Sequence, residues 1–374
     1  MARLTSEGCR VRQNRLLELL ARERFDAAII SDVRDIYYFT GTLVPNDLPA
    51  ILVVEADGRS LCLLPAEHEI QGVDRVVQYE WNHRGTRHPD ILAQMIRAMN
   101  GIWPTSSCAW LGVQRNSLLE RVRQAIPQDV DCESIALDEA IADMQSRKDA
   151  DEIELIRASI RANLAAYAAV AEAIRPGVNE LDILSAGRRG ATREAGEKVF
   201  HDGDYQSASY NGPARDRLIQ SGELYIVDAW TCYRGYWSDM SRTYVVGEAP
   251  SDEQQKLFEH IRWVQDQVPG LLRPGVDGME VYRALDEMIR QHPPLADEGL
   301  VHHGGHAIGL RAHEMPDINL RRGGQLELGN VICVEPGGYF PEARYGVRLE
   351  NMYLVTNTGC EDLCPGDIKL AICR

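Results

Sequence analysis

Four carboxylates and one imidazole in the second half of the chain have the types and order of a metal site: Asp228, Asp239, His306, Glu335 and Glu350. Their motifs follow as D-A-W-T-C-Y-R-G-Y-W-S-D, G-H-A-I-G-L-R-A-H-E-M-P, V-E-P-G-G-Y and G-V-R-L-E. Oxygens with one nitrogen and no thiolate suit hard or borderline divalent cations such as Mn, Co, Fe or Zn. The set is too acidic for a single catalytic zinc, which takes three protein ligands and a water. It matches two cations sharing bridging oxygens, an arrangement that makes a nucleophilic hydroxide near neutral pH.

These side chains need strands to hold them. L-Y-I-V-D-A-W and Y-W-S-D-M-S-R-T-Y-V-V form two strands around a turn at Tyr233–Gly235. A turn centred on Tyr233–Arg234 would set Asp228 opposite Asp239, with Cβ atoms about 4.5–5.5 Å apart. Like charges there repel unless a cation or a proton lies between them. A bulge at Gly235 would shift that register, and two solvated strand carboxylates are the plainer alternative.

N-V-I-C-V-E-P-G is an apolar strand ending on Glu335. Y-G-V-R-L-E-N-M-Y-L-V carries Glu350 among Val347, Leu349 and Tyr353, where a carboxylate without a partner is costly. Period two puts Arg348 on the same face; a surface-facing alternation is the competing reading. H-H-G-G-H-A-I-G-L-R-A-H-E-M-P holds His302, His303, His306 and His313. Histidine serves both as ligand and as proton carrier. Gly304, Gly305 and Gly309 are expected to let the backbone approach a ligand closely.

The chain's 374 residues suit two domains. Lys plus Arg is 40 against 56 Asp plus Glu, a formal charge of -16, which disfavours nucleic acid or an anionic membrane as partner. The nine cysteines show no disulfide framework, which fits reduced thiols and a cytoplasmic location. Cys360 and Cys364 form an isolated C-x-x-x-C pair, a weak metal or redox signal. The N-terminus lacks the apolar core of a signal peptide, and no apolar run of about 18 residues predicts a membrane span.

The first part has the pattern of a small α/β domain: leucines at helical spacing over 8–24, a buried strand F-D-A-A-I-I-S, then A-I-L-V-V-E and L-C-L-L-P as a hairpin. A long alanine-rich helix starts near residue 149 and stops at Pro176–Gly177. The domains are placed at 1–146 and 147–374. Within the second, A-I-R-P-G-V-N-E-L-D-I-L at 173–184 is echoed by L-L-R-P-G-V-D-G-M-E-V-Y at 271–282. A duplicated α/β unit with the site between its halves is expected, against a chance likeness of helix–turn–helix punctuation.

With these motifs together, the chain resembles the pita-bread metallohydrolases of metallopeptidase family M24, the prolidase, Xaa-Pro aminopeptidase and creatinase-like group. The resemblance extends to R-F-D-A-A-I-I-S and I-Y-Y-F-T-G near the N-terminus. It implies an α+β fold: a duplicated pita-bread catalytic domain preceded by a smaller α/β creatinase-type N-terminal domain. It implies two divalent ions, manganese foremost with Co, Zn or Fe also suited. Asp228 would chelate the first, Asp239 and Glu350 would bridge, and His306 and Glu335 would complete the second.

In such enzymes a metal-bridging hydroxide attacks the scissile carbonyl. Glu335 would take the proton, His313 would stand near the oxyanion or leaving nitrogen, His302 would line the substrate pocket, and Arg348 would support the site or meet a substrate carboxylate. The expected substrate is a small Xaa-Pro peptide or another small molecule, and the expected assembly a homodimer.

Two departures bear on the substrate side. Asn211, in Y-N-G-P-A-R-D-R, stands where relatives usually carry a histidine; an amide hydrogen-bonds but cannot shuttle a proton. Trp230 adds bulk where relatives carry glycine in D-x-G. A non-peptidase enzyme on this fold, a small-amide hydrolase or a dimethylsulfoniopropionate-lyase type, is therefore an alternative. A non-catalytic peptide-binding homologue is a second.

Overall fold

The computed structural model describes the chain except residues 69, 71, 100–109, 115–132, 210, 211 and 365. Asn211 therefore lies outside the described residues. Two compact units divide the chain, the first essentially Arg3–Met144 and the second Gln145–Arg374.

In the first unit, α1 (Ser6–Glu23) begins where the Thr5 side chain accepts from the Gly8 amide, and it buries Leu16, Leu19 and Leu20. Leucines at this spacing share one helix face, which is the face turned into the core beside α2 (Val33–Thr40). The six-stranded sheet runs β4-β3-β2-β1-β7-β8. Its strands are β1 (Ala27–Ile30), β2 (Ile51–Glu55), β3 (Ser60–Pro65), β4 (Arg75–Tyr79), β7 (Trp110–Val113) and β8 (Glu133–Ala136). The expected β2–β3 hairpin is present, with Leu52 opposite Cys62. The described part of the unit also holds helices α2 and α3 (Ile91–Met99) and the small hairpin of β5 (Asn82–His83) and β6 (Thr86–Arg87), and α4 (Asp138–Ser146) follows.

The second unit contains two similar halves. The first half consists of α5 (Ala150–Ala173), α6 (Glu180–Ala195), β9 (Phe200–Ser207), β10 (Leu224–Tyr233) and β11 (Tyr236–Val246). The second consists of α7 (Asp252–Leu271), α8 (Gly278–Ile289), β12 (Gly305–Ala307), β13 (Glu314–Ile318), β14 (Val331–Val334), β17 (Asn351–Val355) and β18 (Cys360–Asp362). Strands β15 (Gly337–Phe340) and β16 (Tyr345–Arg348) pair separately, and β19 (Ala371–Cys373) lies parallel to β11.

The long helices of the two halves open on the same device. Asp149 with Glu152, and Ser251 with Gln254, form capping boxes at the starts of α5 and α7. Each satisfies two orphan amides, and a cap of this kind is typically worth about 1 kcal/mol.

The sequence echo is an echo of hydrogen bonds. Gly177 and Gly275 sit at φ 84° and 86°, the left-handed region that glycine enters without strain. The Gly177 amide donates to Ile219 O and the Ile219 amide to Val178 O; in the second half Gly275 donates to Leu326 O and Leu326 to Val276 O. Asn179 and Asp277 then cap α6 and α8 by accepting from Leu181 and Met279. Chance punctuation would not reproduce the long-range pairing.

Helix α5 packs against its sheet through polar anchors: Ser159 donates to Thr231 O at 2.7 Å and Asn163 to Ala229 O at 2.6 Å. In the second half Gln265 of α7 donates to the Tyr353 hydroxyl at 2.8 Å. Around it Leu257, Ile261, Val264 and Val268 pack with Ile332, Val334, Val347 and Leu349. The sheets join where Glu350 pairs with Ser241, its amide donating to Ser241 O at 3.1 Å. That junction brings a residue of the second half beside the carboxylates of the first.

Candidate metal centre

The turn between β10 and β11 falls one residue later than expected. Tyr233 pairs with Tyr236, so Arg234 and Gly235 make the turn, with φ of 46° and 85°. Positive φ at both central positions is the hairpin turn whose twist matches the strands. Asp228 is consequently opposite Ser241, and Asp239 is opposite Trp230. A shift of two residues preserves the side-chain face, so the two aspartates remain neighbours, on a diagonal instead of directly across.

Carboxylate oxygens of Asp228, Asp239 and Glu350 lie within 4.8 Å of one another, and all three residues are buried. Asp239 Oδ1 and both carboxylate oxygens of Glu350 have no hydrogen-bond partner among the described residues. Burying unpaired carboxylates in this way is costly unless protons or cations neutralise them. Burial, reinforced by neighbouring carboxylates, holds the carboxyls of Asp239 and Glu350 well above the usual range. Burial also pushes Glu335 up to about 8, against the lowering pull of Arg348.

His306 lies on β12, with Cys333 opposite on β14. Its Nδ1 is 3.0 Å from Ala307 O, an acceptor that requires Nδ1–H and leaves the Nε2 lone pair free. That Nε2 is 4.0 Å from Glu335 Oε1. The ring of His313 stands edge-on to His306 with centroids 3.9 Å apart. Burial lowers the pKa of His306 well below its ordinary value, and partial desolvation lowers that of the more exposed His313. The five candidate ligands and His313 are thus brought together.

Gly305 explains how β12 comes so close. At φ 150°, a Cβ there would lie 2.0 Å from Cys333 O. The glycines expected to admit a ligand instead admit neighbouring protein: a Cβ on Gly304 would meet Ile318, and one on Gly309 would meet Lys148 and Glu314. Lys148 and Glu314 form a buried pair at 2.7 Å, with side chains 1% and 8% exposed. Glu314 also accepts from the Arg311 amide at 3.0 Å, so the segment carrying His313 is anchored at both ends.

A relay lies beside the carboxylates. Arg348 contacts Asp228 Oδ2 through Nη1 and donates from Nε to the Tyr339 hydroxyl at 2.7 Å. Tyr339 in turn meets His302 Nε2 at 2.9 Å, and His302 Nδ1 faces His303 O at 2.6 Å. Both ring nitrogens of His302 are therefore engaged within the protein. Arg348 is buried against Asp228 and Tyr339.

Tyr339, the last residue of V-E-P-G-G-Y, was not assigned a part by sequence, nor was His303, whose Nδ1 lies 3.3 Å from Glu335 Oε1. The signal for both was their place inside motifs already singled out. Trp230 is half-buried and shares the face of Asp228 and Asp239.

Fold and site together define a metal-dependent hydrolase built from two similar halves, the pita-bread architecture, with a smaller α/β domain before it. The pattern of metallopeptidase family M24 matches residues 154–357, and that of the creatinase/prolidase N-terminal domain matches residues 12–144. The chain belongs to metallopeptidase family M24.

An Xaa-Pro dipeptidase of Pyrococcus furiosus is 26% identical over 367 residues, covering 96% of this chain and 99% of that protein. The crystal structure of the prolidase from Pyrococcus horikoshii superposes with a TM-score of 0.76 at 24% identity, over 96% of this chain and 99% of that one. An Xaa-Pro dipeptidase structure from Bacillus anthracis gives 0.77 at 23%, over 97% and 99%. Both structures speak to the fold.

Proposed function

We propose that the chain is an Xaa-Pro peptidase whose dinuclear centre is held by Asp228, Asp239, His306, Glu335 and Glu350. The observation that carries this is the set of buried oxygens of Asp239 and Glu350, without a partner among the described residues, beside Asp228. Such a cluster calls for cations, and the donors suit hard or borderline divalent ions. Asp239 and Glu350 would be shared by both ions, Asp228 would hold one of them, and His306 and Glu335 would complete the other. When bound, the ions supply Lewis acidity and a nucleophilic water near neutral pH.

The chain's own groups do the rest. Glu335 takes a proton from the attacking water and returns it to the leaving nitrogen. His313, beside His306 but outside the ligand set, donates to the carbonyl oxygen as charge develops there. Arg348, tied to Tyr339 and Asp228, fixes the orientation of that carboxylate. Seven described cysteines are free thiols, which supports a reducing, cytoplasmic setting. Among the described residues no helix is long and apolar enough to cross a membrane.

A second reading has a specific observation behind it. Trp230 stands across the ladder from Asp239, on the ligand face. A bulky wall there favours small or unusually shaped substrates, such as a cyclic amide or a zwitterion. Metal-loaded protein tested on Xaa-Pro dipeptides, Xaa-Pro-Yaa peptides, creatine and small zwitterions separates the readings. Cleavage confined to proline peptides supports the first; turnover of the non-peptides alone overturns it. His313→Ala should keep its metal and lose about 10²–10⁴-fold in kcat.

A further inference from the structure

The ligand set so far contains no sulfur, yet a thiol lies within its reach. Cys333 is fully buried on β14, directly opposite His306 on one side and Met352 on the other. Its Sγ, a His306 ring nitrogen and a Glu350 carboxylate oxygen all lie within 4.8 Å of one another. That is close to the span of two metal–ligand bonds of about 2.0–2.3 Å each. Glu350 is itself 1% exposed, and both its carboxylate oxygens lack a partner among the described residues. The pocket in which the thiol sits is therefore already short of positive charge.

The geometry points to Cys333 as a sulfur donor to the ion shared by His306 and Glu350, a position that then prefers zinc, cobalt or cadmium over manganese. This rests on the dinuclear reading above. The register explains why a thiol can arrive there. Cys333 precedes Glu335 by two residues, so period two turns both side chains to one face. Gly305 lets β12 close onto the Cys333 carbonyl and seats His306 beside the sulfur.

Coordination replaces the S–H bond by an S–metal bond, and the proton leaves to solvent. Thiolate is the soft partner in a shell of hard oxygens. It strengthens binding of borderline and soft ions more than of manganese, which favours carboxylate and water. Met352 is the other sulfur nearby, and its Sδ accepts from the Asp239 amide at 3.3 Å. That contact occupies the thioether and leaves the thiol as the available sulfur.

The test compares wild type with Cys333→Ser and Cys333→Ala, using cobalt, cadmium and manganese salts alone as probes. Cobalt-loaded wild type should show near-ultraviolet sulfur-to-cobalt charge-transfer absorption, absent in both variants although each still binds cobalt. By competition titration, the preference for cadmium over manganese should fall by roughly tenfold or more in both variants, as expected when a soft donor is removed. Two folded variants with circular dichroism like wild type guard against a change in folding.

A wild type that binds cobalt with an oxygen-and-nitrogen spectrum only, and a cadmium preference that survives in the variants, overturns the sulfur assignment while leaving the dinuclear centre intact. Wild type that binds no cobalt overturns both.

Discussion

Trp230 and Asp239 face each other across the β10–β11 ladder, so an indole occupies the cross-strand position beside a buried carboxylate. Because Asp228 lies two residues before Trp230 on the same strand face, the indole flanks the carboxylate cluster on its hairpin side. A substrate approaching from that side meets a wall that glycine would leave open. Trp230→Gly should raise kcat/KM for bulky Xaa-Pro-Yaa peptides by roughly tenfold, the scale of a small change in pocket volume, with the shortest substrates least affected. Steady-state kinetics on a length series checks this; equal effects on short and long substrates would remove Trp230 from the substrate path.

That the five candidate ligands would come together was legible, because each sits in a motif that joins a strand to a functional group. The duplication was legible too, in the two R-P-G-V segments. The turn was not. Either Tyr233–Arg234 or Arg234–Gly235 could centre it, and the outcome required an arginine at φ 46°, a conformation uncommon outside glycine. The Arg348–Tyr339–His302 relay was hidden for another reason: it joins residues from separate motifs, and only the folded junction places Tyr339 between the other two. Asp228 and Asp239 survived the wrong register because the shift was even.

Protonation of the metal-free centre gives a pH test. The raised carboxyls of Asp239, Glu350 and Glu335 keep protons in the folded chain that the unfolded chain releases above about pH 4. The folded state therefore binds more protons, and its stability falls as pH rises toward the folded pKa, about 8 for Glu335. His302 and His306 are shifted downward and weaken the fold below about pH 6.5, so above that the carboxyls act alone. Chelator-treated protein should lose Tm between about pH 6.5 and 8, and metal-saturated protein should not. An equal, flat response in both would contradict the buried-charge account.

Lys148 and Glu314 test how firmly the His313 segment is held. Removing one partner of a buried pair typically costs about 3–5 kcal/mol. Lys148→Met should show that loss in urea denaturation, because Glu314 is left charged and buried. Adding Glu314→Gln should recover most of it, since an amide oxygen still accepts from the Arg311 amide. If the double variant is no more stable than Lys148→Met, the loss comes from lysine packing and not from the stranded charge.

The central claim is a centre bridged by Asp239 and Glu350, and metal content measures it most directly. Elemental analysis of wild type dialysed against trace manganese or cobalt should give about two ions per chain. Asp239→Ala and Glu350→Ala should each lose both ions together, because a bridge serves both positions. Full occupancy in Asp239→Ala, or the clean loss of a single ion in both variants, would contradict the bridging assignment.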